Sequence, residues 1–540
     1  MWYAGLSGAA CFVVNQLFKL IDHTMTRGRG LLMKNCAGQG PKKEPWLVFV
    51  YCLLVAAGCL LICSKSSPLY PINDWSDAII YFSMGKGMAN GRVLYRDIYD
   101  HKGPFLYGLH GLFYLVSPQS FAGVWMLEVF CAAFFLFAVW KTLALYVKKE
   151  TALCALPVLA VLVYTSLSFQ QGDSAEELCL PFLAWGLYVW LRQCKAGAGA
   201  PMARGTLLLQ GIFCGCILWT KFTLLGLHAM WILLVFGEAG GSGQWKKAWM
   251  ALVWFVAGIG LATLPWLLYF GYHGAVLPWL KTYLYDNLFL YSASGETAGL
   301  LARGKVMVKS AWEWFGQNLQ YSLLMALGMA WAAAQGQKNR KEAFSLWLLA
   351  AMAALGVFVG GKSYPYYGFV LAVFAPLGMA ALCGIVEKYL GKSLRKPGRL
   401  AAVALALCVA SVAGCYGLSP NVKTSFLQPR ESTMQYRIAE AMGQAPGATL
   451  LNYGFMDAGF YTAAGIVPHV KYFHQTNVPL AEMLNEQARY ISEGLSDYVI
   501  TRGRQPESIV ENYDLIAEAE SPPDFWYDKV YLYRLKALAP

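Results

Sequence analysis

Apolar residues run through this chain in long blocks, not in the mixed patches of a water-soluble protein. Windows of about 20 apolar residues, the length that crosses a bilayer as a helix, recur eleven times. They lie at roughly 46–63, 121–147, 151–168, 178–194, 206–220, 222–237, 248–271, 319–335, 344–360, 366–386 and 399–417. The block PFLYGLHGLFYLVS at 104–117 is too short to span and is expected along the membrane surface. Residues 1–20 are also apolar, but no positive stretch precedes them, so they make a poor signal peptide. They read equally as an interfacial helix or as sequence upstream of a true start at Met25 or Met33. After Ser419 the long apolar runs stop. Short β-like runs at 449–453, 497–501 and 529–534 and helix-like stretches at 432–443 and 479–493 predict a small α/β domain. The expected organisation is a cytoplasmic or interfacial segment at 1–45, a membrane helical domain at 46–418 and an extracytoplasmic α/β domain at 419–540. No internal repeat is visible.

Composition agrees with this pattern. Of 540 residues, 57% are hydrophobic and only 14% charged, against about 25% charged in soluble domains. The net charge of +12 does not point to nucleic acid, because the cations sit in short runs between apolar segments. Arg27/Arg29, Lys148/Lys149, Lys246/Lys247, Lys338/Arg340/Lys341 and Lys392/Arg395/Lys396/Arg399 mark cytoplasmic loops by the positive-inside rule. An inside start and an odd number of spans place 64–120, 169–177, the turn at Lys221, 272–318, the turn at Lys362 and everything after 418 outside. The cysteines fall mostly within apolar segments and read as small packing residues. Neither a disulfide framework nor a zinc site is indicated.

The polar chemistry therefore gathers on one face. The first outside loop, from Asp74 to Tyr107, reads DWSDAIIYFSMGKGMANGRVLYRDIYDHKGPFLY. It offers Asp74, Asp77, His101 and Lys102, with Tyr81, Tyr95, Tyr99 and Tyr107 available to stack on a sugar or line a lipid groove. The second, QQGDSAEELCLPF, offers Asp173, Glu176 and Glu177. Lys221 sits in one turn, and Lys362 with Tyr364, Tyr366 and Tyr367 in another. Transfer of a sugar from a polyprenyl phosphate wants this mixture. The leaving phosphate is already a stable anion, so a glycosidase's pair of carboxylates is not needed. One carboxylate base deprotonates the acceptor hydroxyl, and cations steady the departing phosphate.

The residues that carry a family likeness are Asp77 followed four positions later by Tyr81, and the run YRDIYDHKGPFLY ending at Tyr107. To these are added Glu176 and Glu177 before LCLPF and the LWTK turn ending at Lys221. On them the chain resembles the GT-C membrane glycosyltransferases, close to glycosyltransferase family 39, with the aminoarabinose transferases and protein O-mannosyltransferases as relatives. The resemblance implies a polytopic helical bundle with a small exported domain. It implies Asp77 as the catalytic base, assisted by Glu176 or Glu177, and Lys102, Lys221 and Lys362 as phosphate ligands. His101, Tyr81 and Tyr366 join the substrate-binding set. The expected partners are a polyprenyl-phosphate-linked sugar, a cell-envelope glycan, lipid or protein acceptor, and the bilayer itself. Two departures stand out: the family often has arginine and histidine where this chain reads KSYPYY, and the tight D-x-D or E-x-D of metal-dependent relatives is absent. A divalent metal ion stays open as a cofactor.

Blander readings stand beside these. Asp74 reads as a helix cap, and Asp97 and Asp100 as surface ion pairs with Arg96 and Arg92. Lys221 reads as a snorkelling lysine, and Glu128 as an intramembrane acid satisfied by capping contacts. His469 and His474 lack a third metal ligand. The rival functions are a transporter or lipid-linked-sugar flippase and a non-catalytic receptor or assembly factor. A transporter is expected to carry ionisable residues deep within its spans, where this chain has almost none.

Overall fold

A backbone surrounded by lipid must satisfy its own hydrogen bonds, so apolar spans become helices. In the computed structural model, which describes residues 44–197, 202–291, 300–335, 340–362, 364–390, 397–443, 447–503, 505–521 and 529–536, each of the eleven apolar blocks falls on one. The elements are α1 (Glu44–Cys63), α2 (Ser76–Ala89), α3 (Pro104–Tyr114), α4 (Ala122–Leu143), α5 (Lys149–Tyr164), α6 (Ala175–Ala196), α7 (Arg204–Lys221), α8 (Gly226–Gly241) and α9 (Trp245–Tyr272). They continue with α10 (Leu300–Gln317), α11 (Leu319–Gln335), α12 (Arg340–Phe358), a 3-10 segment Pro365–Phe374 running into α13 (Ala375–Leu390), and α14 (Pro397–Leu418). The surface block at 104–117 is α3. The apolar stretch at 1–20 and the basic runs at Arg27/Arg29 and Lys392–Lys396 lie outside the described residues.

Seven helical stretches among the described residues are long and apolar enough to cross a membrane. One of them, Arg204–Gly241, is two antiparallel helices. Gly211 abuts Phe255, with its Cβ position 2.0 Å from the Phe255 carbonyl oxygen, and Trp219 bonds Thr263, so α7 and α9 run in step. Phe236 instead meets Trp249, and Gly240 meets Trp245, so α8 runs against α9. The reversal falls at the 3-10 turn Phe222–Leu225. Of the remaining expected spans, α5 and α11 are shorter, and α6 carries Glu176, Glu177, Arg192 and Lys195.

The helices shuttle between two distinct ends. At one end the basic loops meet acids: Lys195 on Glu342 (3.1 Å), Lys341 on Glu238 (2.5 Å), and the Lys148 amide on Glu387 (2.6 Å). At the other end gather 64–121, 165–174, the turns after Lys221 and Phe358, the π-helical segment Lys281–Tyr291, and the C-terminal module. That module holds α15 (Met434–Met442), α16 (Ala481–Ser492) and a four-stranded sheet in the order β1-β2-β4-β3. Strands β1 (Leu450–Tyr453) and β2 (Tyr498–Thr501) pair in parallel, and β4 (Lys529–Leu535) pairs antiparallel with β2 and with β3 (Tyr513–Glu520). The sequence reading missed β3. Its run YDLIAEAE is an edge strand with three acids in eight residues, buried chiefly through Tyr513 and Ala519.

Candidate functional site

Between the polar end of the bundle and the C-terminal module lies a cavity of about 1360 Å³. Helix α2 opens into it. Acids are favoured in the first turn of a helix by the backbone dipoles, and Asp77 sits there. One turn on, the Tyr81 hydroxyl donates to Asp77 Oδ2 at 3.1 Å, and the Tyr366 hydroxyl reaches the same oxygen at 3.2 Å. The four-residue spacing of Asp77 and Tyr81 thus places the two on one helical face in contact, and Tyr366 joins them across 289 residues of chain. Asp77, Tyr81, Tyr366, His101 and Lys102 all line the cavity.

The peptide 100–102 is held by its own tyrosines. Tyr95, at φ 67°, closes a tight turn onto Ile98 and donates its hydroxyl to the Lys102 carbonyl at 2.7 Å. The Tyr107 hydroxyl accepts from the Lys102 amide at 2.9 Å and donates to Asp100. Tyr99 bonds Asp286 at 2.9 Å. This corrects two expectations. Tyr95, Tyr99 and Tyr107 are buried braces and not sugar-stacking faces, and Asp100 is buried instead of pairing with Arg92 at the surface. Asp97 does pair with exposed Arg96, at 2.7 Å.

Electrostatics separate the two neighbours at 101 and 102. Burial opposes the Lys102 charge, but Asp77, Asp100, Tyr291 and Glu176 outweigh it and raise its pKa above the usual lysine value. Burial and the adjacent Lys102 push His101 down to about 4. Its imidazole is therefore neutral at pH 7, with Nδ1 donating to Asn287 Oδ1 at 2.8 Å. In the unfolded chain the same group titrates near 6.5. Between pH 6.5 and about 4 the unfolded state therefore holds more protons, and acidification favours unfolding. Thermal melts of the purified protein should lose stability from pH 7.5 to 5, and His101→Gln should reduce that loss.

The other sequence candidates stand one layer back, and Glu176, Glu177, Lys221 and Lys362 are not among the residues lining the cavity. Lys221 donates to Glu176 Oε1 at 2.5 Å, with its ammonium 3.6 Å from the centre of the Tyr367 ring. Lys362 sits 3.3 Å from the centre of Tyr291. Glu177 faces away, accepting the Asp173 amide at 2.8 Å beside Glu128 (2.9 Å), which Ser64 also contacts at 2.8 Å. Capping contacts thus satisfy Glu128. Asp74 does not cap α2; it pairs with Lys65 at 2.7 Å on the cavity wall.

The Lys102 loop and the Lys221 turn meet because Gly103 lets two backbones touch. Its amide donates to the Thr220 carbonyl at 3.1 Å, and a Cβ there would stand 2.0 Å from the Trp219 carbonyl oxygen. Gly103→Val should force the Lys102 loop away from the Lys221 turn. Overpacking of this kind costs about 1–3 kcal/mol, read as a lowered Tm.

Reasoning from sequence missed Lys65, Tyr291, His110 and the role of Asp173. His110 Nε2 lies 2.9 and 3.0 Å from the Asp173 carboxylate and Nδ1 lies 2.8 Å from the Leu106 carbonyl. Both ring nitrogens thus face acceptors and both must donate. Burial opposes this charge, and Asp173 outweighs it, raising the His110 pKa. The ring also braces Tyr81 edge-on at 5.7 Å. The one signal was a histidine on an otherwise apolar surface helix.

The donor set does not fit a divalent metal, which takes several free oxygen ligands. Asp74 and Glu176 are each engaged by a lysine, Lys102 sits among the remaining acids, and no cluster of three or more possible ligands occurs among the described residues.

No protein-family model matches the chain, and neither does any curated protein sequence. Solved structures do. ArnT from Cupriavidus metallidurans bound to undecaprenyl phosphate matches with a TM-score of 0.57 at 14% identity, covering 93% of this chain and 100% of that one. Its apo state gives 0.56 at 13%, with the same coverage. The fold is GT-C. An archaeal oligosaccharyltransferase, AglB from Archaeoglobus fulgidus in complex with an inhibitory peptide and a dolichol-phosphate, matches at a TM-score of 0.47 and 12% identity over 86% of this chain and 70% of that one. On the two ArnT matches, the GT-C expectation drawn from Asp77, Tyr81 and the YRDIYDHKGPFLY run holds at the level of fold.

Proposed function

We propose that this GT-C chain is a membrane glycosyltransferase. It moves a sugar from a polyprenyl-phosphate donor to a hydroxyl of a cell-envelope glycan, lipid or protein, with inversion at the anomeric carbon. The observation that carries the reading is Asp77 on the wall of a large cavity with the charged Lys102 on the same wall, while the neighbouring wall acids Asp74 and Asp100 are taken up by Lys65 and by the Tyr107 hydroxyl. Asp77 takes the acceptor proton as the acceptor oxygen bonds to the anomeric carbon. The sugar–phosphate C–O bond breaks on the opposite face, and its electrons leave with the phosphate. The hydroxyls of Tyr81 and Tyr366 fix the orientation of Asp77. Lys102 meets the growing phosphate charge, which is where preorganised cations matter most. Neutral His101 contributes hydrogen bonding, not charge. Lys221 and Lys362 support this reading from behind, through Tyr367 and Tyr291.

The cavity opens at one end of the bundle instead of running through its middle, which supports transfer over transport. The basic loops occupy the opposite end, and the positive-inside rule supports an outer-face position for the cavity and the C-terminal module. The test compares lipid-linked sugars and envelope glycans by mass spectrometry between cells carrying the wild type and Asp77→Asn. Identical profiles at equal protein abundance would reject the assignment.

A further inference from the structure

Helix α2 has a second attachment, far from Asp77. Ser83 donates to Asp457 Oδ2 at 2.6 Å, and Lys86 donates its ammonium to the Tyr461 carbonyl at 2.9 Å. Ser83, Lys86 and Asp457 are each 0% exposed. Ser83 and Lys86 are three residues apart and so share one face of the helix. Asp457 also accepts from the Gly459 amide at 3.0 Å and from Asn452 of β1 at 3.3 Å, which ties the grip to the sheet.

Asp457 belongs to a short loop, 454–459, that faces two ways. Gly454, Phe455, Met456 and Ala458 line the cavity, while Asp457 between them points into α2. Gly459 closes the loop at φ +97°, where a Cβ would lie 2.9 Å from Ile72. Burying a lysine and an aspartate is an expensive way to dock two surfaces, since apolar contacts of similar volume often do as well or better. What polar groups add is a single register. The loop touches whatever fills the C-terminal half of the cavity and also grips the helix whose first turn carries Asp77.

We propose that Asp457 and Lys86 are positioning residues that hold Asp77 in register with the acceptor side of the cavity, through the segment 454–461. This rests on the reading of Asp77 as the base. The C-terminal module is then part of the catalytic geometry and not only a cover.

The test uses the full-length protein in membranes, with Lys86→Met, Asp457→Ala and the milder Asp457→Asn. Glycan transfer is read by mass spectrometry, together with protein abundance, binding of undecaprenyl phosphate, and hydrogen exchange at the amides of α2. The expected result is at least a tenfold loss of transfer in Lys86→Met and Asp457→Ala, and a smaller loss in Asp457→Asn. Abundance and lipid binding should stay within twofold of wild type, while exchange rises along α2 and not in α3. Transfer unchanged in all three variants, where Asp77→Asn abolishes it, overturns the proposal. So does a loss of transfer matched by equal losses of abundance and lipid binding, which marks a merely structural contact. If Asp77→Asn itself leaves transfer intact, the functional reading fails, and unchanged α2 exchange in the three variants then rejects the grip independently.

Discussion

Asp77→Asn is expected to lower sugar transfer by a factor of about 10²–10⁴, the usual contribution of a positioned general base, with no loss of protein from the membrane. Both halves follow from the contacts. The carboxylate accepts two tyrosine hydroxyls, from Tyr81 and Tyr366, and an amide oxygen in its place still accepts them, though more weakly. The substitution therefore removes the proton acceptor while keeping the local hydrogen bonds. Asp77→Ala is a harsher change, because it strands both hydroxyls. A fall in abundance in Asp77→Asn as steep as the fall in transfer would point to a structural role, and retained transfer would remove Asp77 from the mechanism. The measurement is transfer per unit of membrane-inserted protein.

The second large effect concerns stability. Lys221→Met should lower stability by about 3–5 kcal/mol, because breaking a buried ion pair leaves one charge uncompensated. The abandoned charge is Glu176, whose side chain is 1% exposed and whose second oxygen already lacks a protein partner. The double variant Lys221→Met/Glu176→Met should recover most of the loss, since apolar replacement of both partners is often neutral. Thermal melts in detergent read both. Undecaprenyl-phosphate binding measured beside them separates two roles for Lys221 that its position at a helix end left open. If Lys221 acts mainly on the lipid phosphate, the double variant regains its Tm but not its affinity for undecaprenyl phosphate. If it acts mainly as the partner of Glu176, it regains both.

How much of this was legible in the sequence depends on range. The eleven apolar blocks read directly as helices because lipid leaves the backbone no other solution. Asp77 and Tyr81 were singled out by their four-residue spacing as a family likeness, and the hydrogen bond between them emerged only in the structure. The grouping of polar loops at one end followed from counting spans between basic runs. What could not be read was depth. Asp100 and Asp97 are three apart in one charged run, yet one is buried against Tyr107 and the other sits at the surface with Arg96. Glu176 and Glu177 are adjacent, yet α6 turns the first toward Lys221 and the second toward the Asp173 amide. Tyr95 and Tyr107 resembled a stacking surface because nothing local says that their hydroxyls close on the backbone of Lys102. Lys86 and Asp457 carried no signal, since each finds its setting only when residues some 370 positions apart in the chain come together.

That separation bears on how the molecule is made. The cavity takes one wall from residues 65–102 and the other from residues 420–521. A nascent chain that has inserted every helix still has half a pocket, with Lys86 lacking the carbonyl it donates to. The site comes into being only when the last module has emerged and docked. A released chain ending before Leu450 would hold every long helix of the bundle and only part of the cavity wall. Synthesis order thus places completion of the cavity after insertion of the bundle.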